Sequence, residues 1–238
     1  MIISFCFTIK IINSIDNLER YQTMISKAVE CAKPHHKVIF YTDTETLPYL
    51  NLCDIEIKLI DTNDFYFVDD FKVHLLSIIS DDEILIDTDL FLFSPLNLES
   101  NKDLYVDFRD NSSKYWYTEY LNWCIEKNIE EVFPNFIIEN MHVPNIGILK
   151  IQNKELKNEY IKLYYKIREW ILSKDSNINR GISIILGQYL LALLIVNKRY
   201  KVSYCFNDYN YYCHLSGPIK FQNDIIDKTM LLLNKRLI

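Results

Sequence analysis

The sequence predicts an α/β fold, a single domain with a mostly parallel central sheet flanked by helices. Three observations carry that expectation. Short β-rich apolar runs alternate with stretches of helical period through the first part of the chain, the pattern of strands joined by crossover helices. The runs are apolar on consecutive residues, as in strands buried on both faces. The length, 238 residues with 49% hydrophobic and 24% charged, suits one generous globular domain that buries its core without disulfide or metal staples.

Each element follows in order. Ile2–Ile9 reads as a first buried strand. Asp16–Ala32 is a helix, because Leu18, Tyr21, Met24, Ile25, Ala28, Val29 and Ala32 recur at three and four, and Pro34 closes it. Lys37–Tyr41 and Ile55–Ile60 are the next strands. Asp70–Ser80 is helical with Phe71, Leu75, Leu76, Ile78 and Ile79 inward. Glu83–Ile86 is a strand that runs into Asp87-Thr88-Asp89, and Leu104–Phe108 is another. From Asn111 to Phe136 the chain is aromatic and mostly helical. Ile146–Ile151 is a strand, and Glu155–Ser173 and Ile182–Val196 are helices. The tail carries Tyr204-Cys205-Phe206, a tyrosine-rich loop, His214–Lys220 read as a loop because turn-formers surround it, and a terminal helix.

Charge and composition exclude several classes. A net charge of −6 argues against a general nucleic-acid binder, which needs a basic face toward phosphates. The six cysteines, at 6, 31, 53, 124, 205 and 213, form no CxxC pair, so reduced thiols and a cytoplasmic setting are expected. A zinc site from Cys205, Cys213 and His214 fits no structural zinc spacing. The apolar start lacks a basic leader region and a small-residue cleavage site. Ile182–Val196 is shorter than the roughly 20 residues that span a bilayer, so it is expected as a buried helix and no transmembrane segment is expected. Glycine is scarce. Gly147, Gly181, Gly187 and Gly217 are each expected to hold a backbone position that other residues do not fill.

Three motifs carry chemistry. In Glu83–Phe93, two carboxylates, Asp87 and Asp89, sit at the carboxyl end of a buried strand, where ligands bind in open α/β sheets. Poorly solvated and mutually repelling, they suit a hard divalent cation, Mg²⁺ or Mn²⁺, that bridges to a diphosphate. The alternative is a solvated turn at the end of a strand. In His214-Leu215-Ser216-Gly217-Pro218-Ile219-Lys220, the HxxGxxK pattern offers an imidazole ligand that Mn²⁺ accepts. It adds a glycine where backbone can approach phosphate and a lysine that sets a point charge on diphosphate oxygens. His214 alone would read as a hydrogen-bonded loop histidine. Asn145-Ile146-Gly147 before a strand is either a tight turn or room left for a sugar or acceptor. The aromatic run Tyr115-Trp116-Tyr117, Tyr120 and Trp123 either stacks on a sugar or packs a helix.

The order of a strand ending in Tyr41-Thr42-Asp43, IDTDLFLF, an NxG strand and HxxGxxK resembles the GT-A glycosyltransferases. It is most similar to the glycogenin and galactosyltransferase-like group known as family 8. The resemblance runs through most of the chain in order. It implies a single GT-A (Rossmann-like) domain over 1–238, with a nucleotide-binding half at 1–110. An acceptor-side half at 111–238 would end in the metal and diphosphate loop. It implies a retaining transfer of a hexosyl group from a UDP-sugar donor to a hydroxyl acceptor, with Mn²⁺ or Mg²⁺ as cofactor. Asp87, Asp89 and His214 would hold the metal, with Thr88 between them at the donor. Gly217 and Lys220 would contact the donor diphosphate, and Lys220 would serve catalysis. Lys72 matches the basic donor-holding residue on the helix before the DxD motif. Thr8 and Asp43 would line the nucleoside pocket, Asn145, Gly147 and Gln188 would lie beside sugar and acceptor, and Asn145 and Gln188 would serve catalysis with Lys220. The chain departs from the family twice. Lys220-Phe221-Gln222 stands where Lys-Pro-Trp is usual, and Gly187-Gln188 where an acidic residue usually precedes the glutamine. Gln188 also reads as a polar residue on a buried helix. Two other readings stay open, a nucleotidyltransferase on a related fold and a non-catalytic nucleotide-sugar-binding protein. The first lacks the glycine-rich loop expected after the first strand, since Lys10–Asn17 has no glycine.

Overall fold

The structure is a computed structural model that describes residues 1–11, 18–98, 101–111, 115–138, 141–205 and 212–214. In chain order its elements begin with β1 (Ile2–Cys6), α1 (Leu18–Ala32), β2 (Lys37–Thr42), β3 (Glu56–Leu59), α2 (Val68–Ile78), β4 (Glu83–Ile86) and β5 (Leu90–Leu92). There follow β6 (Leu104–Val106), β7 (Arg109–Asn111), α3 (Tyr115–Glu126), β8 (His142–Pro144), β9 (Ile148–Ile151) and α4 (Lys154–Lys174). The last are α5 (Leu190–Lys198), β10 (Val202–Tyr204) and β11 (Tyr212–His214). The fold is α/β with a mixed, mostly parallel seven-stranded sheet, as expected. The chain divides into two compact units interleaved along the sequence. One comprises Met1–Ile60, Ile84–Asn97 and Asn207–Ile238, the other Asp61–Glu83 and Leu98–Phe206. Gly217, Lys220 and the expected terminal helix lie outside the described residues.

The first unit carries the strand order β4-β1-β2-β3. β1, β2 and β3 run parallel, with Phe5 level with Phe40 and Phe40 with Ile57. Continuous apolar sequence buries both faces of β1 and β2: Ile3, Phe5 and Phe40 are fully covered. Helix α1 turns Met24, Ile25, Ala28 and Val29 inward and packs on β5. β3 closes the sheet edge with charge: Lys37 and Lys58 both reach Glu56, at 2.9 and 3.6 Å. Such charges discourage further strand addition.

The second unit carries the order β10-β6-β9, in which β10 runs parallel and β9 antiparallel to β6. Helices α2, α4 and α5 pack together beside it. Asp70, 1% exposed, fastens α2. One carboxylate oxygen accepts the backbone N–H of Tyr66 (2.6 Å) and Phe67 (2.8 Å), capping the helix. The other accepts the Tyr164 hydroxyl and the Arg168 guanidinium, both at 2.8 Å, from α4. The expected aromatic run is used in packing where it is described. Tyr117 is fully buried, and Trp123 meets Trp170 edge-to-face at 5.8 Å.

The chain differs from the sequence expectation in its short strands. Ile182–Val196 is a helix, but its middle, Ile185–Tyr189, widens into a π turn. Among the described residues, one helix, Arg180–Lys198, is long and apolar enough to cross a membrane. Ile182, Ile185, Leu186 and Leu190–Leu193 are fully buried within the second unit, as in a core helix. β7 and β8 form a small antiparallel pair on either side of the region expected to be helical. His214, expected in a loop, instead ends strand β11, which pairs antiparallel with β5. Three-residue strands of mixed polarity carry too few residues for a period to register.

Removing the Asp70 carboxylate leaves Arg168 and three other donors without their partner. Asp70→Ala should therefore lower unfolding free energy by about 3–5 kcal/mol, read by urea denaturation. Burial pushes the Cys124 thiol up to about 12 from 9.0. A raised folded pKa means that the native state keeps its proton while the unfolded chain loses it. The contribution is complete below pH 9 and is lost between pH 9 and about 12. Thermal melts should therefore fall in that window, and Cys124→Ala should flatten part of the fall. An unchanged profile in the variant would remove Cys124 from the cause.

Candidate metal centre

The site begins with a reversal of the chain between two buried strands. β4 and β5 are apolar and almost wholly covered, so the turn joining them has little freedom. It spans Asp87 to Leu90 and is closed by the Leu90 N–H donating to the Asp87 carbonyl at 3.1 Å. Asp87 and Thr88 are half-buried there, and Asp89 is buried. The ladder between β5 and β11 then sets His214 opposite Leu90. This register places the imidazole against the turn. His214 Nε2 lies 3.3 Å from Asp89 Oδ1, and the two side chains are 5% and 6% exposed.

Asp87, Asp89 and His214 each offer a ligand atom, and these atoms lie within 4.8 Å of one another. Two carboxylates this close and this poorly hydrated repel each other, and a divalent cation relieves both costs. Two oxygen donors and one imidazole nitrogen suit a first-row divalent ion better than Mg²⁺, which favours an all-oxygen octahedron. The residues present therefore fit a divalent metal, with coordination positions left for other ligands.

The remaining candidate residues fall into three groups. Thr8 and Asp43 follow β1 and β2 and are buried, joined through Thr46. Asp43 Oδ1 accepts the Thr46 N–H at 2.7 Å, Thr46 Oγ1 accepts the Ile9 N–H at 2.9 Å, and the Thr46 and Thr8 hydroxyls lie 3.5 Å apart. Thr46 escaped the sequence reading, though a Thr three residues after Asp is the spacing of a capping turn. In the second unit, Lys72 is buried and its Nζ donates to the Ile146 carbonyl at 2.9 Å. Asn145 folds its side-chain oxygen onto the Gly147 N–H at 2.8 Å. This arrangement is the tight turn that the sequence allowed. Gln188 lies on the π turn and accepts the Tyr117 hydroxyl at 2.6 Å. Gly217 and Lys220 lie outside the described residues. Asp69 was not singled out by sequence, yet it is buried against Gly187. The scarcity of glycine marked position 187 but not its partner.

No family model matches the chain, and no curated protein matches it in sequence. Among solved structures, it is similar to the galactosyltransferase LgtC, crystallised with donor and acceptor sugar analogues. That match has a TM-score of 0.52 at 16% identity and covers 100% of this chain and 95% of that one. It is also similar to an active-site mutant of LgtC, with a TM-score of 0.45 at 17% identity over 86% of this chain and 72% of that one. The glycosyltransferase GlyE of Streptococcus pneumoniae TIGR4 matches with a TM-score of 0.43 at 14% identity, over 88% of this chain and 46% of that one. The chain thus has the GT-A fold and resembles family 8 glycosyltransferases in architecture.

The triad itself is testable with metal alone. Mn²⁺ titrated into the protein should bind, as read by electron paramagnetic resonance. His214→Ala should weaken that binding by more than the roughly tenfold that loss of an outer-shell partner costs. Asp89→Ala should abolish it while circular dichroism stays unchanged.

Proposed function

We propose that the protein is a metal-dependent glycosyltransferase that moves a hexosyl group from a UDP-sugar to a hydroxyl acceptor with retention of configuration. One observation carries the reading. On a fold it shares with a galactosyltransferase, the β5–β11 register gathers Asp87, Asp89 and His214 at one turn. Held by these three, a divalent cation (Mn²⁺ in preference to Mg²⁺) would neutralise charge on a donor diphosphate.

The chain's own residues take the remaining roles. Asp87 and Asp89 would supply the negative charge that holds the cation, and His214 would add an imidazole nitrogen. Thr88 accompanies them at the donor. Thr8 and Asp43 flank the nucleoside. Gly217 lets backbone approach the diphosphate, and Lys220 sets a compact positive charge on its oxygens. Lys72 holds the donor, and Asn145, Gly147 and Gln188 serve the sugar and acceptor. In the step, the bond from the anomeric carbon to the diphosphate breaks and a bond to the acceptor oxygen forms on the same face. The acceptor proton passes to the leaving phosphate. Positive charge grows on the sugar and negative charge on the diphosphate, so Lys220 acts mainly through electrostatics that strengthen toward the transition state. Free thiols at Cys6, Cys31, Cys53, Cys124 and Cys205 suit a cytoplasmic setting.

Two measurements test this. Calorimetry should show UDP binding with Mn²⁺ that disappears in EDTA, and a panel of UDP-sugars should give UDP release. Pyrophosphate release from nucleoside triphosphates would favour a nucleotidyltransferase instead, and release of neither would favour a binding protein. In a turnover assay, Lys220→Ala should lower kcat more than it weakens UDP affinity, and Lys220→Arg should restore only part of it. Wild-type kcat in Lys220→Ala would remove that lysine from the chemistry.

A further inference from the structure

His36 sits where α1 gives way to β2, and its ring bonds to a distant stretch of the same unit. The turn fixes its backbone. The N–H of Lys33 donates to the Val29 carbonyl at 3.0 Å, and those of His35 and His36 donate to the Ala32 carbonyl at 3.1 and 3.0 Å. The half-buried imidazole accepts the Leu96 N–H at Nε2, 3.0 Å away and 60 residues later in the chain. Leu96 lies four residues beyond β5 in a stretch without regular structure, so no strand ladder engages its amide. Pro95 before it has no N–H to offer. The His36 ring therefore fastens the chain as it leaves β5, one residue before this segment of the first unit ends at Asn97.

An imidazole accepts a hydrogen bond only while neutral. Accepting at Nε2 requires its proton to sit on Nδ1, and a second proton on Nε2 turns the acceptor into a donor facing another donor. The surroundings resist that second proton. Burial first, then His35, whose ring lies edge-on at 6.4 Å, and then the Met1 ammonium hold His36 below its ordinary value of 6.5. Met1 acts because β1 starts level with β2, with Ile2 opposite Lys37. The neighbouring lysines are engaged elsewhere, Lys33 with Asp54 and the Cys53 carbonyl, and Lys37 with Glu56. From the other side, residues 93–98 bring no titratable side chain. Closing the segment also carries a cost. Ser94 Oγ is buried with no hydrogen-bond partner among the described residues, and opening returns it to water. We infer that His36 is a pH-sensitive latch on the chain leaving β5, holding residues 94–97 when neutral and releasing them when protonated.

The latch stands apart from the glycosyltransferase reading and includes no candidate metal ligand. A lowered folded pKa means that the closed segment holds the neutral ring. The fastening is therefore complete above pH 6.5 and is lost as pH falls through the folded value. The test is nuclear magnetic resonance on the full chain, labelled with nitrogen-15 and with no metal added. At about pH 7.5 the His36 ring should show the Nδ1–H tautomer, assigned by the signals missing in His36→Gln. Protection of the Leu96 amide, taken against its intrinsic exchange rate at each pH, should fall by up to about tenfold per pH unit below 6.5 and level off below the folded value. Amides in the β1–β2 ladder should keep their protection, which separates release of the segment from general loosening. His36→Gln supplies an amide oxygen that accepts at any pH, so its Leu96 protection should stay level down to about pH 5. His36→Ala should lack that protection throughout. An Nε2–H tautomer at about pH 7.5 overturns the latch, as does wild-type Leu96 protection that holds down to about pH 5. So does a His36→Gln protein whose protection falls as steeply as that of the wild type. The wild-type measurement decides by itself where a variant fails to fold.

Discussion

The turn from Asp87 to Leu90 is the constraint on which the site depends. On one side is a strand whose apolar residues are wholly buried, and on the other is β5, equally covered. Both strands are buried along their whole length, so neither leaves the turn room to rearrange. The chain must reverse in the space that remains, and a single backbone hydrogen bond from Leu90 to Asp87 closes it. Two carboxylates are thereby fixed in a place that water solvates badly. The ladder to β11 adds an imidazole at the one position where it meets Asp89. The geometry of the triad is therefore a product of packing around it more than of the polar residues themselves.

Neighbouring acids on α2 show how differently a buried carboxylate can be used. Asp70 spends its oxygens on two backbone amides, a tyrosine and an arginine, and so ties the start of the helix to α4. Asp69, one residue earlier, is pressed against a glycine backbone. Fastening the first also holds the second in place, because a helix free to roll would not keep a carboxylate against Gly187. The same division appears in the first unit, where Asp43 is committed to the turn that ends in Thr46, whereas Asp87 and Asp89 converge with His214.

Much of this was legible in the sequence. The long apolar runs announced β1, β2 and β4, and the helical spacing of Phe71, Leu75 and Leu76 announced α2. The DxD pair stood out because apolar residues bracket it. Other features depend on pairings distant in sequence. β7, β8, β10 and β11 are each too short to show a period, and their existence follows from the partner strand, as for His214 opposite Leu90. The link between Thr8 and Asp43 passes through Thr46, whose only sequence signal is its spacing from Asp43. Gly187 was conspicuous as a rare residue, yet nothing local to it names the carboxylate that excludes a side chain there.

The interleaving of the two units sets an order of events during synthesis. The ribosome releases the chain from the N-terminus onward, and compact parts form as their residues emerge. Asp87 and Asp89 appear early, but the unit that holds them also draws on Asn207–Ile238, after the whole of Leu98–Phe206 has been made. Until Tyr212–His214 adds to β5, the nascent chain offers a cation two carboxylates and no imidazole. Closure of the complete triad is thus a late event in the birth of the molecule, and a chain truncated before residue 212 carries the acidic pair without its imidazole.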